Sequence, residues 1–535
     1  MFNKKEKKTF DFKMLSDVNI GSLEGENDDC LQEDTFIITM PIFKILTENK
    51  YNYIIGSFGS GKSALFKAIQ EKYITNRSKE LNEKFFSNKN IICLNESFNL
   101  DSNLQKDKFT LNFIILNWSI YLLKILIFDI LENHKDKKNF KEFKENISLY
   151  EELKDNFNLY NFKDWLKNTS INPTITVSGT PISVNLNLKL PLHKRELNLN
   201  SLYKLINNFY EKNGLNCWML IDRIDDFVRF DNYEKRNIYI QGLHEVIEEI
   251  RKFPCLRPML FLREDLFESI NFTTGNMKVK DRTIYLTWTS EEILNFLFRR
   301  VMKQRAFSIY IKDLEKIINS NIETSLSNKI KNYLLNLAVK LNLKKDKKYN
   351  SLEHKIVKEL LYLILPPIVK LNTIEMEFED MLKQFLIDKN FINPRIFIIF
   401  INKLNEEQYV YYSHNPPNIK NKRLGQIRRV ENYSTINIYT NNCIKQALNY
   451  TKDLLLDNIQ GLFPDEKINF KKSFYLLNNS FISKNTLTEE EIFNILKENS
   501  LKVSQIKFII HYLEIVKYFY KKGKNYTISN VYKKA

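Results

Sequence analysis

At 535 residues, with 43% hydrophobic and 13% aromatic side chains, the chain carries apolar mass for several cores, on the order of three domains, and its composition is not that of a disordered protein. Five cysteines (Cys30, Cys93, Cys217, Cys255, Cys443) are scattered, with no close pair and no histidine at metal spacing, which argues against a disulfide framework and a zinc site and sets an expectation of reduced thiols in the cytoplasm. The formal charge of +17 invites a nucleic-acid partner, but lysine is diffuse along the chain, and a diffuse excess is a weaker sign than a focused stripe.

The first eight residues are rich in charge and no apolar run follows them, so no signal peptide is expected there. Residues 1–50 read as a lead-in that ends in a short helical pattern at 41–46. A β-type apolar run at 51–55 then feeds a glycine-rich loop at 56–63, and residues 64–69 continue as a helix. A second strand is expected at 90–94, followed by a long helical region to about 170. Within it, residues 109–131 are apolar enough to pass for a membrane span. Asn112, Asn117, Lys124 and Asp129 interrupt that run, so a buried core helix and no membrane contact are expected.

Period-two alternation at 174–178 and 182–188, around Gly179-Thr180-Pro181, reads as an inserted β-hairpin. Strands at 215–222, 258–263 and 283–286, with an amphipathic helix at 238–250, complete a βα alternation that argues for a mostly parallel, three-layer α/β domain. From Ser290 to about residue 410 the pattern is helical almost throughout. Residues 412–430, with Pro416-Pro417 and Lys420, Lys422, Arg423, Arg428 and Arg429, read as an exposed basic linker. Helices near 441–457 and 488–499, a stretch at 505–520 and a short turn and strand at 523–528 suggest a winged helix.

The chemistry concentrates in four places. Gly56-Ser57-Phe58-Gly59-Ser60-Gly61-Lys62-Ser63 is a complete phosphate-binding loop. Its glycines let backbone N–H groups wrap a β-phosphate, Lys62 reaches the β- and γ-phosphates, and the Ser63 hydroxyl ligates Mg²⁺. The apolar run ending at Ile221 delivers Asp222 to the tip of what should be an adjacent buried strand, as the second acidic ligand of a Mg²⁺·ATP site. Asp225 and Asp226 follow within one turn: one is expected to polarise the attacking water, the other to cap the next helix. Arg263, at the tip of another buried strand, is placed to sense the γ-phosphate, with an ion pair to Glu264 or Asp265 as the alternative. Asn393-Pro394-Arg395 opens a strongly apolar helix that would set Arg395 over the nucleotide.

GSFGSGKS, WMLIDRIDD, LFLRED and INPRIF, in this order over about residues 20–405, resemble the AAA+-related STAND ATPases and their origin-recognition-like bacterial relatives, a class common in mobile elements and antiviral defence loci. The opening at 21–26 and the helix at 293–300 add to the likeness. The resemblance implies ATP and Mg²⁺ as cofactors, ATP hydrolysis, self-association, an effector protein encoded nearby and an antiphage setting. A DNA-binding initiator or transposition-type regulator and a non-hydrolysing ATP-dependent scaffold are the alternatives. Two departures stand out: Arg223 occupies the place where AAA+ motors carry Glu, and Ile392 replaces a glycine two positions before the lid proline.

The expected architecture is therefore a P-loop NTPase core at 51–290, with a helical insertion at about 101–170 and a β-hairpin at about 174–190. A helical lid at 291–410, the basic linker at 411–430 and a mainly helical, winged-helix-like C-terminal domain at 431–535 complete it.

Overall fold

The computed structural model describes residues 12–22, 25–32, 35–72, 79–94, 110–148, 188–189, 196–197, 199–224, 233–268, 270, 276–307, 309, 365, 368–371, 374–385, 393–415, 439–461, 470–484, 486–498, 501, 503–515, 518–529 and 532. Asp225, Asp226, Ile392, the basic linker cluster, and residues 174–178 and 182–187 of the expected hairpin lie outside them.

Five strands, β1 (Tyr53–Gly56), β2 (Lys89–Leu94), β5 (Asn216–Ile221), β6 (Leu256–Arg263) and β7 (Thr283–Tyr285), form one sheet in the order β2-β5-β6-β1-β7. Every pairing is parallel. The central strands are continuous apolar runs because helices cover both sheet faces. The register sets Gly56 opposite Arg263, Ile221 opposite Leu260 and Leu94 opposite Ile221, so the carboxyl ends of four strands gather on one edge. β5 is not adjacent to β1, as the sequence suggested; β6 lies between them. Between the second and third strands of the sheet, Leu188–Lys189 (β3) and Glu196–Leu197 (β4) pair antiparallel.

One sheet face packs against α4 (Leu111–Asn133), α6 (Leu199–Lys212) and α7 (Tyr233–Ile250), and the other against α1 (Met40–Thr47), α2 (Lys62–Gln70) and α3 (Lys79–Phe86). Among the described residues α4 alone is long and apolar enough to cross a membrane. It is apolar around its whole circumference because it is enclosed, with Ile114, Trp118, Leu122 and Leu126 all buried. Two of its buried polar residues are held by hydrogen bonds within the protein. Asn117 Nδ2 donates to Phe113 O at 2.6 Å, and Asp129 accepts from Asn90 Nδ2 at 2.5 Å and from Tyr210 Oη at 3.0 Å. Burial alone would raise the Asp129 carboxyl, but hydrogen bonds from His134, Asn133, Asn90 and Tyr210 hold it below the usual carboxylate range.

Beyond the sheet come α10 (Ser290–Lys303), α11 (Phe378–Phe385), α12 (Pro394–His414) and α13 (Asn441–Gly461). Here the helical expectation is corrected: β8 (Ile368–Leu371) and β9 (Ile374–Glu377) form an antiparallel hairpin. Ile368 and Val369 are stiff β-branched residues that favour a strand.

The chain then runs α14 (Phe470–Lys484), β10 (Thr486–Thr488), α15 (Glu489–Lys497), α16 (Val503–Ile515), β11 (Phe519–Lys522) and β12 (Asn525–Ile528), with an antiparallel sheet ordered β10-β12-β11. Helix, strand, two helices and a terminal hairpin make the winged-helix order. Thr488 and Glu491 form a full capping box that starts α15, and Gly523, at φ 66°, turns the hairpin. The apolar core of this unit is continuous with that of α10, α12 and α13, and with Leu15, Val18 and Ile20 from the N-terminal segment.

Candidate functional site

The phosphate loop leaves β1 at Gly56 and enters α2 at Lys62. Gly59 (φ 80°) and Gly61 (φ 100°) both take the left-handed conformation that favours glycine. At Gly59 space is also at issue: a Cβ there would stand 2.5 Å from Asn393 Oδ1 and 2.9 Å from Arg395 Cβ. Gly61 is the N-cap of α2, so the free N–H groups and the positive end of that helix face the loop. Lys62 Nζ curls back over the loop and donates to Gly56 O at 2.8 Å and Ser57 O at 2.9 Å. Ser60 Oγ is buried and makes no hydrogen bond among the described residues.

Asp222 sits at the carboxyl end of β5, 4% exposed. Its Oδ2 accepts from Ser63 Oγ at 3.1 Å, so the hydroxyl and the carboxylate meet across the intervening strand β6. Arg223, next in the chain, has φ 59°, a strained backbone for a non-glycine residue beside the site. Arg263 ends β6 and faces the same cavity. It is bonded twice to Asp265 of α8 (Glu264–Glu268), through Nε to Oδ1 at 3.0 Å and through a terminal nitrogen to Oδ2 at 2.7 Å. The ion-pair alternative is thus the observed one, and the pair is largely buried rather than on the surface.

α12 closes the site from above. Asn393 caps the helix, accepting from Arg395 N at 2.9 Å, while its Nδ2 donates to Phe58 O at 2.6 Å. The Arg395 guanidinium lies 4.1 Å from the centre of the Phe58 ring, a cation–π stack between α12 and the loop. Both residues line a cavity of about 420 Å³, together with all the loop residues from Phe58 to Ser63, Asp222, Arg223 and Arg263.

The rest of that cavity comes from residues the sequence reading gave no role. Leu31, Phe36, Ile37 and Ile42 from the N-terminal segment, with Leu286, Trp288 and Ile398, supply an apolar wall. Trp288 Nε1 donates to Ser60 O at 2.8 Å, fixing the wall to the loop. The segment itself is fastened by Asp28. Its carboxylate accepts from Arg300 of α10 at 2.7 Å, with side chains 4% and 3% exposed, and from the N–H groups of Ser22 and Cys30. A lone tryptophan after a strand and an aspartate in a lead-in carry no motif, so only long-range packing shows them, and the same holds for the tether that Asn393 makes to the loop.

The donor set fits a Mg²⁺·nucleotide: a left-handed glycine cradle at a helix start, a cation over it, an orphaned hydroxyl in it, and a hydroxyl–carboxylate pair beside it. No protein-family model and no curated protein matches the chain. Among solved structures it is similar to a Walker-type ATPase of Pyrococcus abyssi, with 12% identity, a TM-score of 0.38, and coverage of 97% of this chain and 98% of the other.

Proposed function

We propose that the chain binds ATP with Mg²⁺ in this cavity and hydrolyses it as a nucleotide-dependent switch. The observation that carries the reading is the convergence of the glycine cradle, Lys62, and the Ser63–Asp222 pair on one cavity. The apolar wall takes the base, the loop N–H groups and Lys62 bind the phosphates, and Ser63 and Asp222 would hold Mg²⁺. Bound Mg²⁺ supplies neutralisation of charge on the phosphate oxygens. Asp225 or Asp226 takes the proton of the attacking water, Arg263 senses the γ-phosphate, and Arg395 brings the lid into the same contact. The motif resemblance extends the proposal to self-association, to an effector protein encoded nearby and to antiphage defence. The free thiols of Cys30, Cys93, Cys217, Cys255 and Cys443 suit the cytoplasm.

The test is calorimetry with ATP on Lys62→Ala and turnover of Asp222→Asn. The first is expected to lose high-affinity binding, and the second to keep metal-free nucleotide binding while losing Mg²⁺-dependent hydrolysis. Unchanged ATP affinity in Lys62→Ala overturns the assignment of the site.

A second reading, a DNA-binding ATPase regulator, is favoured by the winged-helix order at 470–528 and by exposed Lys507 on α16 and Lys521, Lys522 and Lys524 on its hairpin. Salt-dependent DNA affinity that falls on Lys522→Ser/Lys524→Ser supports it, with a salt slope flatter by up to about two. DNA affinity without that response removes it.

A further inference from the structure

A second cavity, about 570 Å³, opens at the opposite edge of the parallel sheet, where the strands begin. Asn52, Lys89, Asn216, Arg257 and Arg282, each at or beside the start of a different strand, contribute to its lining. Arg257 lies six residues before Arg263 on β6, roughly 20 Å along the strand, so this cleft is separate from the phosphate loop.

Its charge is one-sided. Lys50, Lys89, Arg251, Arg257 and Arg282 line it against a single acid, Asp281. Two of those cations share one carboxylate: Arg251 and Arg282 each stand 2.8 Å from Glu248. Lys50 is 3.4 Å from Glu48. Lys89 and Arg257 form no ion pair with a carboxylate among the described residues. Both stand over Trp218, Lys89 Nζ at 5.4 Å and the Arg257 guanidinium at 4.6 Å from its ring centre.

A structural reading of Arg257 is available and incomplete. Its terminal nitrogens donate to Ile45 O and Glu48 O, both at 2.9 Å, and to Asn49 Oδ1 at 3.1 Å, which ties off the end of α1. That leaves Nε buried without a partner in a residue 6% exposed, and it leaves a second cation lining the cleft, the half-buried Lys89, whose Nζ donates to Phe85 O at 2.5 Å and to Asn88 Oδ1 at 3.5 Å but meets no carboxylate among the described residues. Neighbouring like charges disfavour one another, and a bound anion offsets that repulsion. Consistently, burial and then the neighbouring Arg257 charge lower the Lys89 ammonium from its ordinary value, and burial brings Arg257 down to about 10.

We propose that this cleft is a second anion site that takes a phosphate group, with Lys89 and Arg257 on its floor and Lys50, Arg251 and Arg282 at its rim. The phosphate belongs either to a small free anion or to a nucleic-acid backbone.

The experiment uses the full chain carrying Lys62→Ala, which silences the phosphate loop. Inorganic phosphate and a single-stranded oligonucleotide are titrated separately by calorimetry, with and without Lys89→Gln. Phosphate binding that persists in Lys62→Ala and weakens about ten- to a hundredfold on adding Lys89→Gln, the loss of one charge-assisted contact, supports a small-anion site. Oligonucleotide binding that weakens by the same factor and is competed by phosphate supports a backbone site. The proposal is overturned if neither probe binds Lys62→Ala, or if both bind it equally well with Gln at position 89. Should Lys89→Gln lose its native circular dichroism, Arg251→Gln gives the same readout, because Glu248 keeps Arg282 as its partner. Failure here leaves ATP binding by the unmodified chain untouched, so the two proposals fail separately.

Discussion

Asp28→Ala tests whether the N-terminal segment is a built wall of the nucleotide cavity or a loose lead-in. The substitution strands the Arg300 guanidinium, whose side chain is 3% exposed. Its terminal nitrogen then keeps only the Ile20 carbonyl at 3.1 Å, and its Nε already lacks a partner. Breaking a buried pair from one side costs about 3–5 kcal/mol. For a unit of core size, that lowers the unfolding temperature by about 6–20 °C. Ser22 N and Cys30 N lose their acceptor as well, so the segment carrying Leu31 and Phe36 is released and ATP affinity falls with stability. Arg300→Met removes the charge itself, and in the double variant no buried ion remains. Thermal unfolding of the two single variants and the double should therefore show a coupling of about 2–3 kcal/mol, the double losing less than the sum. Strict additivity, or a loss below about 1 kcal/mol for Asp28→Ala, the range of an exposed pair, would refute the reasoning.

Trp288 touches both the loop and the apolar wall, so nucleotide binding should change its fluorescence; in Trp288→Phe that change should vanish, and ATP affinity should drop about tenfold through the lost Ser60 O hydrogen bond. A nucleotide-dependent signal that survives in Trp288→Phe would place the base elsewhere. The third expectation is a pH dependence centred on His244, whose Nδ1 is 2.6 Å from Tyr53 Oη. Burial, opposed by Glu248 and assisted by Arg282, lowers its pKa to about 4. The folded value lies below the unfolded value of about 6.5, so the unfolded chain binds the extra proton first: this stability is complete above about pH 6.5 and is lost as pH falls toward 4. Between pH 7 and pH 5 the loss is about 2 kcal/mol. Urea unfolding at the two pH values should show it in the unmodified chain and not in His244→Gln, and an equal loss in both would assign it to other groups.

The parallel sheet was legible because its strands are short apolar runs separated by amphipathic helices, and the loop because glycine spacing is local. The observed β1, β2, β5, β6 and β7 fall within a few residues of the expected strands. Strand order was not legible: nothing in the run ending at Ile221 tells that β6 will lie between it and β1. Hairpin β8–β9 was masked by flanking helical pattern, and β10 by its length of three residues. In the site, Lys62, Ser63, Asp222, Arg263 and Arg395 all reach one cavity, because each stands at the end of a strand or the start of a helix. Phe36, Trp288 and the Asp28–Arg300 pair were invisible for the opposite reason: each acts through contacts hundreds of residues apart or through a fold-dependent wall.

Arg263 is where the two readings of this chain meet. Nε and one terminal nitrogen of its guanidinium are bonded to Asp265, so on the proposed function a γ-phosphate is reached by the other terminal nitrogen unless those bonds are given up. Asp265 belongs to the first turn of α8, and α16, the last helix before the winged-helix hairpin, packs against α8. A carboxylate in a first turn is favoured there by the helix dipole, so Asp265 is stabilised with or without Arg263, which lowers the cost of releasing the arginine. The nucleotide-facing and hairpin-bearing ends of the molecule thus share one five-residue helix. If, on the proposed function, ATP binding moves α8, then α16 and the hairpin that follows it are the elements in place to respond.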